Sequence, residues 1–187
     1  MARTRPRRPL PPLNESKLNE LALRYVGKYA TTRAKLRAYL SRKLRERGWS
    51  EEREADLEGL AERFARAGYI DDAAYALSKS QALATRGYGK RRLVEKLQIA
   101  GVDEENGRAA REHADAEALR AALRFAERRK LGPFRRGELD PKQRDKEIAA
   151  MIRAGHPFTI AKAILSWPSD TGVDLGEIAD RLGLTVS

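Results

Sequence analysis

Apolar residues recur along this chain at three- and four-residue intervals, the spacing of one face of an α-helix. Leu18, Leu21, Ala22, Tyr25 and Val26 fall at i, i+3, i+4, i+7 and i+8, which predicts a first helix that begins near Ser16 and ends before Thr31. Thr31 or Thr32 can cap a second helix with Leu36, Tyr39, Leu40 and Leu44 inward, stopped by Gly48. Trp49, Ser50, Glu51 and Glu52 then read as an apolar anchor, a capping oxygen and two first-turn acids for a third helix, which buries Leu57, Leu60, Ala61 and Phe64 and stops at Gly68. Asp71 and Asp72 can cap a fourth helix carrying Tyr75, Leu77, Ala82 and Leu83. Gly87 and Gly89 turn the chain before Lys90, Arg91 and Arg92 open a fifth, whose inward stripe is Leu93, Val94, Leu97 and Ala100.

The sequence after Gly101 repeats the pattern that follows Gly48. Val102 is an apolar anchor, Asp103 a cap, and Glu104 and Glu105 the acids of the first turn. The helix they open offers mainly Ala109 and Ala110, and Gly107 weakens it by about 1 kcal/mol relative to alanine. Leu119, Ala122, Leu123 and Ala126 restart a strong period that breaks at Gly132 and Pro133. Asp140 and Pro141 then read as a cap and a first-turn proline for a helix burying Ile148, Met151 and Ile152, stopped by Gly155. Phe158, Ala161, Ile164 and Leu165 mark another before Trp167 and Pro168.

Gly48, Gly101 and Gly155 lie about 53 residues apart, and Tyr25, Tyr75 and Phe125 about 50 apart, each aromatic on the stripe of a first helix. Glycine stop, anchor, cap and aromatic recur together. The fold expected is all-α: three tandem three-helix, helix-turn-helix-like repeats in an elongated curved array. The boundaries read as a disordered basic Pro/Arg-rich arm (1–15), repeat 1 (16–70), repeat 2 (71–114), repeat 3 (115–167) and an acidic C-terminal tail (168–187). Within the tail, Asp174 can cap a short amphipathic helix of Leu175, Ile178, Ala179 and Leu182. That tail is expected to fray; folding back on a basic repeat, in competition with an acidic partner, is the alternative.

Charge adds a partner to this picture. The 187 residues are 35% charged and 6% aromatic, which suits small units with thin cores better than one large core. A formal net charge of +11 points to an acidic partner, nucleic acid first and an acidic protein surface second. There is no cysteine, so neither disulfides nor cysteine-bound zinc hold the fold. The N-terminus lacks the apolar run of a signal sequence and no segment approaches a membrane span, so a cytoplasmic protein is expected.

The cations cluster in three stretches. Between Arg24 and Arg47 there are nine Lys or Arg residues against the single acid Glu46, too many for intrahelical pairing to neutralise. Arg33, Lys35, Arg37, Arg42 and Lys43 are the candidate contacts there. The central turn and its helix offer Arg86, Tyr88, Lys90, Arg91, Arg92 and Lys96. The third stretch offers Arg128, Arg129, Arg135 and Arg136. Tyr88, between two glycines, can stack at a basic surface or pack its own turn; Tyr25, Tyr75 and Phe125 are assigned to the core.

Catalytic chemistry finds little support. His113 and His156 stand apart, and no serine lies in a nucleophile-elbow context. Gly87 to Lys90 is no phosphate loop, because Ala84 and Arg91 occupy the places where a P-loop needs glycine and a hydroxyl. Paired acids such as Glu51 with Glu52 sit where helix starts favour them, so capping is read rather than metal binding. No catalytic, cofactor or metal residue is assigned.

GYIDDAAYA from Gly68, RGYGKRRL from Arg86 and GHPFTIAKAIL from Gly155, in that order among three helical units, resemble the RecX family of bacterial regulatory proteins. The resemblance covers residues 18–167. It implies a crescent of helical repeats lying in the groove of the RecA recombinase filament, limiting filament growth or strand exchange, without enzymatic activity. The alanine-rich third helix of repeat 2, the basic arm and the acidic tail depart from the family pattern. The reading is thus a monomeric regulator, mainly an inhibitor, that binds the RecA filament on single-stranded DNA through its basic faces, with duplex DNA a further possible ligand. The alternative is an independent, non-specific DNA-binding repeat protein, since the exposed first turns show Lys, Arg or acids rather than base-reading side chains.

Overall fold

The computed structural model describes residues 11–135, 141–168 and 172–183. Among them every regular element is helical, as the periodicity requires: α1 (Glu15–Lys28), α2 (Arg33–Arg47), α3 (Leu57–Arg66), α4 (Asp72–Thr85), α5 (Lys90–Ile99), α6 (Arg108–Ala116), α7 (Ala118–Arg129), α8 (Pro141–Arg153), α9 (Phe158–Leu165) and α10 (Leu175–Leu182), with one 3-10 turn at Gly132–Phe134. The basic arm through Leu10, the expected cap Asp140 and the candidate Arg136 lie outside the described residues.

The chain divides into two compact units between Asp72 and Ala73. In the first, α1 packs on α2 and α2 on α3, closing over Leu18, Leu36, Leu40, Leu60 and Ile70. Leu36 and Leu40 lie one turn apart on α2 and are fully buried, each contributing about 1.5–3 kcal/mol of apolar burial. The Asn14 side chain caps α1 through the Lys17 N–H (2.9 Å), and Thr32 caps α2 through the Lys35 N–H (3.1 Å). Gly48 then ends α2 with a positive φ of 80°, which a Cβ would disfavour.

Two differences from the sequence reading meet at the edge of this unit. Residues 11–15 are part of the fold, for Leu13 is fully buried and forms a bridge with Trp49. The Leu13 N–H donates to Gly48 O and the Ser50 N–H donates to Leu13 O, both at 2.9 Å. Arg47 fixes the approach by donating twice to Pro11 O, at 3.0 and 2.7 Å. Ser50 and Glu51 consequently serve this bridge and α1 rather than α3. The Glu51 carboxylate accepts the Glu15 N–H at 2.8 Å, where the start of α1 favours an anion, and α3 is capped instead by Asp56.

The second unit holds two buried clusters. One comprises Ala76, Leu93, Leu97, Ala100, Val102 and Ala110. Val102 is the anchor expected, but Asp103 caps a turn through the Asn106 N–H (2.8 Å), and α6 begins only at Arg108. On α4, Tyr75 and Leu83 of the expected stripe pack against this cluster while Ala82 is exposed, and Ala76, Ser80 and Ala84 are buried beside them. Ser80 is a polar member that apolar periodicity passes over, and its hydroxyl satisfies itself by donating to Ala110 O at 2.8 Å. On α6, Ala110 and Ala114 face inward and Ala109 outward.

The other cluster joins α7, α8, α9 and α10 around Phe125, Met151, Ile160, Ile164, Trp167 and Ile178. Here α10 is seated rather than frayed. Asp174 caps it as expected, through Gly176 N–H (2.7 Å) and Glu177 N–H (3.1 Å), and Ile178 is fully buried. The contact that holds it is apolar, against α9 and α7.

Candidate functional site

The central turn is built from backbone contacts before any side chain enters. At the end of α4 the Gly87 N–H donates to Ala84 O and the Tyr88 N–H to Leu83 O, both 2.9 Å, a pairing that needs the positive φ of 71° found at Gly87. The next residue is pressed against the α8–α9 turn. The Gly89 N–H donates to Ala154 O at 3.0 Å and the Arg91 N–H to Gly155 O at 3.3 Å. A Cβ on Gly89 would sit 2.2 Å from Gly155 O, and one on Gly87 would sit 2.8 Å from the Phe125 nitrogen, so side chains are excluded from both places.

His156 closes this joint. Its Nε2 lies 3.0 Å from Gly87 O, so that nitrogen carries the proton and donates to the carbonyl. The ring is buried and tilted on Phe125 at 5.7 Å. Burial pushes the imidazole below its ordinary value near 6.5, and the hydrogen bond to Gly87 offsets only part of that. The second histidine, His113, lies 3.0 Å from the Ser80 hydroxyl through Nδ1. Among the described residues no three His, Asp or Glu side chains converge to hold a metal ion.

Around this rigid turn the structure gathers cations that the sequence separates. The Arg92 and Arg128 guanidinium carbons lie 5.7 and 5.9 Å from the Tyr88 ring centre, and Arg128 also donates to Arg86 O. Arg128 and Arg129 lie 5.7 and 5.9 Å from the Phe125 ring. Tyr88 itself is half-buried against the third cluster, so it packs the turn while the two guanidiniums lie over its ring. Among the described residues no carboxylate pairs with Arg86, Arg92, Lys96, Arg128 or Arg129. Lys90 pairs with Asp115 at 2.6 Å and Arg91 with Glu95 at 3.4 Å, both near the surface, where such pairs are weak and exchange readily.

Other candidates have partners inside the fold. Arg33 bonds Asp72 at 3.1 Å and Glu62 at 2.9 Å; these hydrogen bonds raise its already high pKa. Asp72, nearly buried, also accepts the Arg33 N–H at 3.0 Å. Arg37 pairs with Glu58 on α3, and Lys35 is partly buried. The excess of cations on α2 is therefore met partly by acids from other segments, which helix-by-helix counting omits. Arg42 and Lys43 share Glu46, at 3.6 and 2.6 Å. Arg135 forms a two-pronged contact with Glu147, whose carboxylate also accepts the Gly132 N–H at 3.1 Å. Burial alone would raise Glu147, but Arg135 and the Gly132 N–H hold it below the ordinary carboxylate range. Arg135 thus fastens the turn after α7 instead of facing solvent.

Comparison with known proteins places this arrangement. No protein-family model matches the chain. It is 34% identical over 161 residues to the regulatory protein RecX of Myxococcus xanthus, an alignment covering 79% of this chain and 83% of that one. The chain belongs to the RecX family. A second member, the regulatory protein RecX of Agrobacterium fabrum, is 37% identical over 106 residues, covering 57% of this chain and 56% of its own. The crystal structure of RecX from Lactobacillus salivarius shares the fold, with a TM-score of 0.58 and 18% identity over 80% of this chain and 93% of that one. In this RecX-family chain the segments RGYGKRRL and GHPFTIAKAIL form one assembly, since Gly87 and Gly89 of the first receive His156 and Gly155 of the second. Among the described residues no helix is long and apolar enough to cross a membrane.

Proposed function

We propose that this RecX-family protein is a non-enzymatic regulator, chiefly an inhibitor, of the RecA recombinase, which it engages as the RecA filament on single-stranded DNA, modulating recombination and repair in the cytoplasm. The observation that carries the reading is the relationship to a curated regulatory protein RecX over most of both chains; RecA as the target follows from the family resemblance of the motifs. The proposed architecture is three tandem three-helix units in an elongated curved array, bounded as the sequence repeat bounds them, acting as a monomer. Three separate buried clusters, within residues 13–70, 76–114 and 119–179, support it. Such an array touches several filament subunits at once, and multivalent contact raises occupancy without a single strong site. The arginines around Tyr88 that have no carboxylate partner among the described residues supply charge for phosphates or acidic RecA surface.

The test adds the protein to RecA filaments already assembled on saturated single-stranded DNA and follows ATP hydrolysis and filament length. Hydrolysis and length are expected to fall. Arg91 is exposed and Arg92 half-buried, so the Arg91→Glu, Arg92→Glu variant is expected to keep its helical circular dichroism and to lose no more than about 1 kcal/mol of stability, while inhibition is lost. If the wild type neither binds nor alters assembled filaments and only competes for bare DNA, the regulator reading fails and an independent DNA-binding protein takes its place.

A further inference from the structure

The first unit carries an aromatic and cationic cleft that the reading of the central turn does not use. It opens between the last turn of α1 and the middle of α2, with a volume of about 540 Å³. Tyr25 and Tyr39 stack across it with ring centres 4.3 Å apart and planes 13° from parallel, and Tyr29 leans on Tyr25 at 5.4 Å. Arg24 and Lys28 line the α1 side, Arg42 and Lys43 the α2 side. Tyr25 and Tyr39 lie on the apolar stripes of α1 and α2, and both rest partly on the core. Tyr29 does not: it is the residue just beyond α1, with extended backbone and 49% of its surface exposed.

Charge and geometry together select a ligand. Among the described residues no carboxylate pairs with Arg24 or Lys28, while Glu46 is shared by Arg42 and Lys43. The Lys28 ammonium lies 5.3 Å from the Tyr29 ring centre and the Arg42 guanidinium carbon 5.7 Å from that of Tyr39. Open ring surface thus lies within a few ångströms of positive charge on both walls. An acidic peptide would use the cations and leave the ring idle. A duplex would offer phosphates but no free base face. An unpaired polynucleotide supplies both, one base to stack and the flanking phosphates to neutralise the walls.

We infer that this cleft is a single-strand binding site, in which a base stacks on Tyr29 at the end of the Tyr25–Tyr39 pair while Arg24, Lys28, Arg42 and Lys43 hold the neighbouring phosphates. DNA and RNA share this chemistry. The inference extends the proposed regulator by naming a direct contact to the strand, but it stands on the cleft and needs no RecA.

The experiment measures binding of the full-length protein, without RecA, to a fluorescent oligothymidylate, to the same strand with abasic positions, to an oligouridylate and to a duplex of equal length. The wild type is expected to bind the oligothymidylate more tightly than the abasic strand or the duplex; the oligouridylate arm shows whether RNA is bound as well. Tyr29→Ala is expected to weaken oligothymidylate binding roughly 5- to 100-fold and to abolish the preference over the abasic strand, whereas Tyr29→Phe keeps both. Tyr29 is exposed, so circular dichroism of both variants should match the wild type. Equal binding by Tyr29→Ala and wild type, or no preference for bases over abasic sites, overturns the cleft as a stacking site. Inhibition of assembled RecA filaments is read separately: its survival alongside either of those results leaves the regulator reading standing and removes only this site.

Discussion

Gly89 and Gly155 meet backbone to backbone, so closely that a Cβ on Gly89 would lie 2.2 Å from the Gly155 carbonyl oxygen and one on Gly155 would lie 2.6 Å from the Arg92 nitrogen. Two turns far apart in sequence are thereby locked together with no side chain between them, and the positions of Arg92 and Tyr88 follow from that lock.

Gly89→Ala should therefore destabilise the protein by about 3 kcal/mol or more, since both turns would have to part. Gly27→Ala makes a suitable contrast. Gly27 is helical, nothing lies within 4 Å of an added Cβ, and its φ is not positive, so stability should rise by about 0.5 kcal/mol. Urea denaturation of the two variants reads both signs.

The joint is also sensitive to acid. Because burial depresses the folded-state pKa of His156, the unfolded chain takes up the proton first as pH falls. Its contribution is intact above the ordinary imidazole value near 6.5 and declines below it, by at most about 1.4 kcal/mol per pH unit, until the folded imidazole itself titrates. Glu147 enters only later, as pH falls below the ordinary value of 4.5, and so does Glu117, whose carboxylate burial would raise but Arg124 and Arg120 hold down. Denaturation profiles at about pH 7 and pH 5 should differ for the wild type and converge for His156→Gln, which should be less stable at neutral pH.

Arg135 and Glu147 form a nearly buried pair, with 14% and 2% of their side chains exposed. Arg135→Ala leaves the carboxylate without its cation and should cost about 3 kcal/mol in thermal or urea unfolding. Arg86→Ala, on an exposed side chain, should change stability by less than about 0.5 kcal/mol. Similar losses for both would contradict the different placement of the two arginines.

Ile178 anchors α10 in the third cluster with no exposed surface. Ile178→Ala should cost about 2–4 kcal/mol. A value near zero would mean that α10 frays in solution, as expected of a terminal segment.

Periodicity and capping chemistry determined the helices and their order, because the spacing of apolar side chains and the oxygens at helix starts act within a few residues. Thr32 and Asp174 bear this out in contacts spanning two or three positions, whereas Ser50 and Asp103 serve other turns than the helix starts expected of them. The motif glycines, too, were legible as turns. What the turns touch was not: the meeting of Gly89 with Gly155, the bond from His156 to Gly87 and the bridge between Leu13 and Trp49 all join residues more than 30 positions apart. The same limit governed charge. Sequence counts cations along a helix, but Arg33 finds Asp72 and Arg135 finds Glu147 only through folding, and those partners decide which guanidiniums remain for a ligand. Burial likewise divided equivalent tyrosines, setting Tyr25 half inside and leaving Tyr29, one turn on, in solvent. Local rules fix where each side chain points along its own helix; whether another segment covers it is decided only when the segments pack.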